Sequence, residues 1–139
     1  MNIQKAAEAS GLTPDTIRFY ERKQIVPAPG RRANGYRRYT HEHVVMLRLA
    51  RGLRQLGVPL SEIAPIVRVA HDGRCFEVRE TLTWTLREAL AETERRVRDL
   101  AQLRDHMAEM LSGLGAMAED SANVPGIEPC QCVRIVSDG

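Results

Sequence analysis

Three of the 139 residues are cysteines: Cys75 stands alone in mid-chain, and Cys130 and Cys132 form a C-x-C pair near the end. Thiolates are soft donors, and three of them suit a soft, thiophilic divalent ion such as mercury(II), cadmium(II) or lead(II). Structural zinc prefers four ligands and would need His71, an acid or water to complete the set. Of the histidines, His41 and His43 lie near the amino-terminal half, His106 is remote from the cysteines, and only His71 is close in sequence to Cys75. The same thiols also support reversible oxidation, including a strained Cys130–Cys132 disulfide. Taken alone, Cys75 equally reads as a small buried hydrophobe. An iron–sulfur cluster would want four thiolates.

A second chemistry is written in the charges. The formal net charge is only +2, but residues 1–60 hold eleven Lys or Arg against four Asp or Glu, and the remainder is net acidic. A basic half on a nearly neutral chain is the footprint of a polyanion-binding module. A solvated basic face on an ordinary helical domain has the same composition, so the pattern inside the segment has to decide. Other classes fall away. No run of apolar residues approaches the length of a membrane helix, and the first residues lack the apolar core of a signal peptide. A cytoplasmic protein with reduced cysteines is expected. No Ser/His/Asp, paired-carboxylate or phosphate-loop arrangement has convincing spacing, so no enzyme is expected. With 4% aromatics, a large aromatic-lined ligand pocket is not expected either.

The elements that must position these groups follow from punctuation and period. Ile3 to Ala9 reads as a short helix broken by Gly11. Thr13-Pro14-Asp15 starts a second helix to Arg22, with a capping hydroxyl, Pro in the first turn and an acid at the positive end of the dipole. Two short helices around a Gly-containing turn predict a helix-turn-helix whose second helix enters a major groove. Pro27 and Pro29 end the regular structure. The stretch 30–39 is then rich in Arg and Tyr around Asn34-Gly35, which predicts a tight turn and a small basic hairpin, or wing. Thr40 caps a third helix to about Leu56, and a fourth runs from Leu60 to about Val69.

From Cys75 to Met117 there is no Pro, and Leu90, Thr93, Val97, Leu100, Arg104, Met107, Leu111 and Leu114 alternate by three and four. That heptad stripe predicts a long helix pairing with a second subunit. Residues 118–139 show no helical period and read as a loop or tail ending in a β-prone run, Val133 to Val136. The fold expected is mainly all-α with a small β-hairpin wing. It divides into a winged helix-turn-helix domain over 1–72, a long coiled-coil dimerisation helix over 73–117, whose period allows an antiparallel or a parallel partner, and an effector tail over 118–139.

Thr16-Ile17-Arg18-Phe19-Tyr20-Glu21 and Asn34-Gly35-Tyr36-Arg37-Arg38-Tyr39-Thr40 resemble the two signature stretches of the mercury-resistance regulator (MerR) family, and a long helix follows them. The resemblance covers residues 1 to about 115. Independently of it, Thr16, Arg18 and Tyr20 are placed to reach bases or phosphates, Arg31, Arg37, Arg38 and Arg54 are cationic phosphate contacts, and Tyr36 and Tyr39 are rigid amphipathic ones. Tyr39 equally suits packing the wing against the third helix, while Ile17 and Phe19 read as core. The resemblance implies a homodimer on double-stranded promoter DNA. It also implies activation by distorting an over-long spacer, so that RNA polymerase is engaged indirectly, through the promoter.

Family members that sense large ligands resemble this chain with an added effector domain; here about twenty residues follow the long helix, so a small effector is expected. Cys75 and the tail thiols would be roughly 55–60 Å apart along one chain. An antiparallel dimer removes that distance, placing Cys75 of one subunit with Cys130 and Cys132 of the other as a trithiolate. The resemblance associates Cys at the start of the long helix with divalent-ion sensors and Ser there with monovalent copper, silver and gold sensors. It also places one Cys at the end of that helix and another several residues on, whereas here residues 76–129 hold none. Two alternatives stand beside metal sensing: a redox or electrophile sensor built on the same thiols, and a metal-binding or scaffold protein without gene control.

Overall fold

In the computed structural model, residues 1–117 and 131–138 are described. Their helices are α1 (Ile3–Ser10), α2 (Pro14–Arg22), α3 (His41–Gln55), α4 (Leu60–Asp72), α5 (Cys75–Gly115) and α6 (Gln131–Ser137). Side-chain caps open the first three. Asn2 accepts the Lys5 N–H at 3.0 Å, and Thr13 accepts the Thr16 N–H at 3.2 Å. Thr40 takes the His43 N–H while His43 Nδ1 accepts the Thr40 N–H at 3.2 Å, a reciprocal cap with imidazole in the place usually held by Glu or Gln. Gly11 closes α1 in the left-handed region at φ 72°, where the Arg51 guanidinium lies so near that a Cβ would sit 2.7 Å from Nη1. Only glycine meets both demands without strain.

The chain forms two compact units, Met1–Leu90 and Ala91–Gly139. In the first, α1 packs on α2 and α3, and α3 packs on α4. Ile17 of α2, Leu47 and Ala50 of α3, and Ile63 and Val67 of α4 are at most 1% exposed and form the centre of its core. Polar ties fix the edges: Arg48 Nε donates to the Ala9 carbonyl at 2.8 Å, and His71 Nδ1 lies 2.9 Å from Glu42 Oε1. The start of α5 belongs to this unit as well, since Leu82 packs against the core and Thr85 is buried. In the second unit, a Cβ added to Gly113 of α5 would lie 3.3 Å from Ile135 Cδ1, so α6 sits close against the end of α5.

Two features differ from the sequence expectation. The wing is a turn closed by a single antiparallel bridge, Arg31 to Arg37, and not a two-stranded hairpin. Its backbone bonds run from Arg32 N to Tyr36 O, from Gly35 N to Arg32 O and from Arg38 N to Gly30 O, with Gly35 at φ 82°. Pro29 on one side and the Thr40 cap on the other leave too few residues for a ladder. The run Val133 to Val136 is helical: as part of α6 it puts Cys132 and Ile135 on one face, and packing overrides its β propensity. The fourth helix, expected from Leu60 to about Val69, runs through Pro65. That proline is exposed and has no N–H to donate to the Ser61 carbonyl four residues earlier. The expected loop over 118–130, with Cys130 in it, lies outside the described residues.

Candidate nucleic-acid interface and thiol groups

The second helix has two faces. Ile17 and Tyr20, three positions apart, are buried; Thr16 is half-buried and Arg18 exposed. Arg18 Nη1 lies 3.0 Å from Asp15 Oδ1, a solvated surface pair that contributes little and yields readily to another anion. Tyr20 was expected to offer its phenol to DNA, but it is 5% exposed and belongs to the core, its ring centroid 6.0 Å from that of Phe19. The helical period explains this: three residues from Ile17, Tyr20 shares the inner face. Phe19 is partly buried against the same core.

Between α1, α2 and the wing lies an open concavity of about 600 Å³, bordered by Lys5, Arg18, Arg31, Arg32 and Arg37 and by the exposed Tyr36 ring. Lys5, Arg18, Arg31 and Arg32 around one depression, with an aromatic at the rim, match a sugar-phosphate backbone in charge and shape. Arg31 and Arg38 are exposed on the wing, and Arg54 is exposed in the last turn of α3. The concavity joins Arg18, Arg31, Tyr36 and Arg37 of the expected residues; Thr16, Arg38 and Arg54 do not line it. Lys5 and Arg32 do, although they were not singled out in the sequence; their signal was the charge of the whole segment.

Tyr39 is 2% exposed and packs inward. Its hydroxyl donates to Glu21 Oε1 at 2.5 Å, its N–H donates to the Met1 carbonyl at 2.8 Å, and its ring meets His43 edge-on at 6.2 Å between centroids. Burial first, then the hydrogen bond to Glu21 and its charge, push the phenol far above the ordinary tyrosine range. The other Glu21 oxygen lies 3.0 Å from Arg37 Nε. Thus Arg37, expected to face phosphate, already has an acidic partner, and the expected role of Tyr39 in tying the wing down extends to α2. Glu21 was quoted in the sequence motif without a role. The available signal was an acid at the end of a basic helix, with one face already apolar.

The thiol groups lie in different units. Cys75 is the first residue of α5 and exposed. Cys132 is half-buried on α6, its thiol donating to Met117 Sδ at 3.4 Å. Cys130 lies outside the described residues, and among the described residues no three His, Cys, Asp or Glu side chains converge. The donors are sulfur in both places, which fits a thiophilic ion better than a hard one.

Residues 1–69 match the family model described as "MerR HTH family regulatory protein", and residues 44–110 match "MerR, DNA binding". The regulator CueR of Salmonella typhi is 39% identical over 128 residues, covering 92% of this chain and 90% of that protein. This chain belongs to the MerR family.

A ZntR homologue of Haemophilus influenzae is another MerR-type relative, at 31% identity over 79% of this chain and 80% of its own length. Among solved structures, HiNmlR, a MerR family regulator lacking the sensor domain and bound to promoter DNA, is 25% identical with a TM-score of 0.57, covering 81% of this chain and 83% of its own. PbrR691 of Ralstonia metallidurans CH34, solved with lead(II), has a TM-score of 0.64 at 21% identity, covering 89% of this chain and 95% of its own; it supports the fold alone. As a MerR family member this is a DNA-binding transcription regulator and not an enzyme. The curated relatives carry different regulator names, so family membership fixes the DNA-binding function and leaves the effector to be derived.

Proposed function

We propose that this MerR-family regulator binds promoter DNA as a homodimer in the cytoplasm and activates metal-resistance genes when a thiophilic ion engages its cysteines. The observation carrying the DNA half is the cationic concavity between α2 and the wing. Thr16 and Arg18 would face the major groove, and Arg31, Arg38 and Arg54 the phosphates, with Tyr36 against the sugar backbone. Tyr20 and Tyr39 support this surface from within. The apolar stripe of α5 would pair antiparallel with that of a second copy as a coiled coil, because Leu90, Val97, Leu100, Met107 and Leu111 are each more than half exposed. Activation by DNA distortion, with RNA polymerase engaged through the promoter, follows from the family resemblance.

The donor chemistry carries the effector half. Cys75 of one subunit would join Cys130 and Cys132 of the other, one set at each end of the paired helices. Thiolate bonds to the ion would tie the start of one α5 to its partner's tail, and such a cross-link selects one of two arrangements of the DNA-binding units. Cys75 favours a divalent ion, mercury, cadmium or lead ahead of zinc, because the resemblance associates Ser at that position with monovalent copper, silver and gold sensors. Copper(I) is therefore the second ion to test.

Titration of reduced, metal-free protein with Hg(II), Pb(II), Cd(II), Zn(II) and Cu(I), followed by thiolate charge-transfer absorption, tests the site directly. One ion per subunit, lost in both Cys75→Ser and Cys132→Ser, is the expected result. Weak binding of all five ions, or binding indifferent to Cys75, would reject the shared site and move the signal to thiol oxidation.

A further inference from the structure

Glu21 stands out as a buried carboxylate in the most basic part of the chain. It sits one residue from the end of α2, its side chain is 6% exposed, and its two oxygens face two different residues of one segment, Oε2 by charge contact and without a hydrogen bond. Oε1 accepts from the Tyr39 hydroxyl and Oε2 faces Arg37 Nε. The backbone bonds of residues 30 to 38 join only one another, and Tyr39 at the end of the wing exchanges backbone bonds with Met1 at 2.8 and 2.7 Å. The short turn has no ladder to fix its direction, and beyond that tie to the amino terminus the side-chain anchors do so. A surface carboxylate here would repel phosphate; a buried one acts on the DNA only through the cations and dipoles it holds.

We propose that Glu21 is a positioning residue for DNA recognition: it clamps the wing to the recognition helix through Tyr39 and Arg37, and it keeps Arg37 engaged so that this arginine aims the wing instead of binding phosphate. The inference rests on the DNA-binding function and adds an internal ruler to it. The spacing between Arg18 on α2 and Arg31, Tyr36 and Arg38 on the wing determines whether both surfaces meet the same stretch of duplex. A fixed spacing favours one DNA shape over others, whereas a loose wing would still attract any duplex by charge. Removing the Glu21 charge should therefore harm discrimination more than attraction. Arg37, once released, adds a mobile cation.

The test compares wild type, Glu21→Gln, Arg37→Gln, Tyr39→Phe and the Glu21→Gln/Arg37→Gln pair. Fluorescence anisotropy would follow binding to a duplex selected by the wild type from a random library and to its scrambled counterpart, across a salt series. Wild-type preference for the selected duplex checks the DNA-binding function separately from the clamp. With Glu21→Gln, preference for the selected duplex should fall by about tenfold or more, the scale of a single lost recognition position. Scrambled-duplex affinity should hold or rise, and the salt slope should steepen by about 0.9 per subunit as Arg37 finds a phosphate. Arg37→Gln should lose preference without that steepening, and the double variant should be no worse than either single change. Tyr39→Phe removes one anchor and leaves the charge pair, so it should lose preference at an unchanged slope. It serves as the deciding variant if Glu21→Gln fails to fold. Equal weakening on both duplexes, or an unchanged preference in a folded variant, would overturn the clamp.

Discussion

Tyr39 shows how one side chain can be chemically fixed by its surroundings. Burial, then the hydrogen bond to Glu21 and its charge, hold its phenol protonated well above the ordinary value of 10.0. A raised acid pKa means that the folded state keeps a proton the unfolded chain gives up. Its contribution to stability is thus complete below about pH 10 and declines as pH rises from there toward the folded value. Absorbance titration of the tyrosinate band should show one tyrosine ionising later than an ordinary phenol, and Tyr39→Phe should remove that late step. If no late step separates from the others, the Glu21–Tyr39 bond is weaker than its geometry indicates. Arg18 presents the opposite case, an exposed guanidinium with only a solvated Asp15 beside it. Arg18→Ala should barely change the melting temperature. Against the selected duplex it should cost about 1–3 kcal/mol if the arginine reads a base, with much less lost on scrambled DNA. Equal losses on both duplexes would reassign it to a phosphate.

At the scale of elements, the helix boundaries were legible where a side chain announces them. Thr13 and Thr40 are caps because each hydroxyl accepts a backbone N–H three residues on, and Gly11 ends α1 because its φ is positive. Less legible was whatever depends on packing between distant residues. Val133 to Val136 carries β-branched residues and still forms a helix, because α6 lies along the end of α5. Tyr20 is aromatic with a polar tip, and only its register beside Ile17 decides that it is buried. The wing was legible as an Asn-Gly turn, but its anchor was not, since Glu21 is sixteen residues from Arg37 and no local pattern links them. Two substitutions separate local from tertiary control in one thermal-melting experiment. Thr40→Ala removes the α3 cap and should destabilise by about 1 kcal/mol. Pro65→Ala restores a backbone donor inside α4 at an exposed position and should stabilise by about 2–2.6 kcal/mol, the helix-interior penalty of proline less the entropy it removes from the unfolded chain. A loss of stability in Pro65→Ala would mean that the ring packs more than its exposure suggests.

At the scale of the molecule, the exposed stripe of α5 decides the assembly. Leu100, Leu103, Met107, Ala108 and Leu111 border an apolar groove on the second unit, with Arg104 at its edge. Leu100 is 64% exposed and Leu111 71%. Burying a side chain of that size contributes about 1.5–3 kcal/mol, so several together offset the entropy of association. The charges agree with a one-sided helix: Arg95 and Arg96 pair with Glu92 away from the stripe, supporting the helix without covering it. Sedimentation equilibrium should therefore give twice the 15.6 kDa of one chain. Leu100→Lys places an ammonium in the paired stripe and should shift that mass toward the single chain while leaving α1 to α4 folded, since their core is built from other residues. On DNA the consequence is sharper than on mass. Two linked DNA-binding units gain from effective concentration, so a monomer should bind a two-half-site duplex about 10²–10⁴-fold more weakly than the dimer. It should bind a single half-site almost as well as the wild type does. That difference between the two duplexes is the informative reading. If Leu100→Lys lowers half-site binding as much as full-site binding, the substitution has damaged the DNA-binding unit. If it changes neither the mass nor the full-site affinity, the stripe is not the surface that joins the subunits.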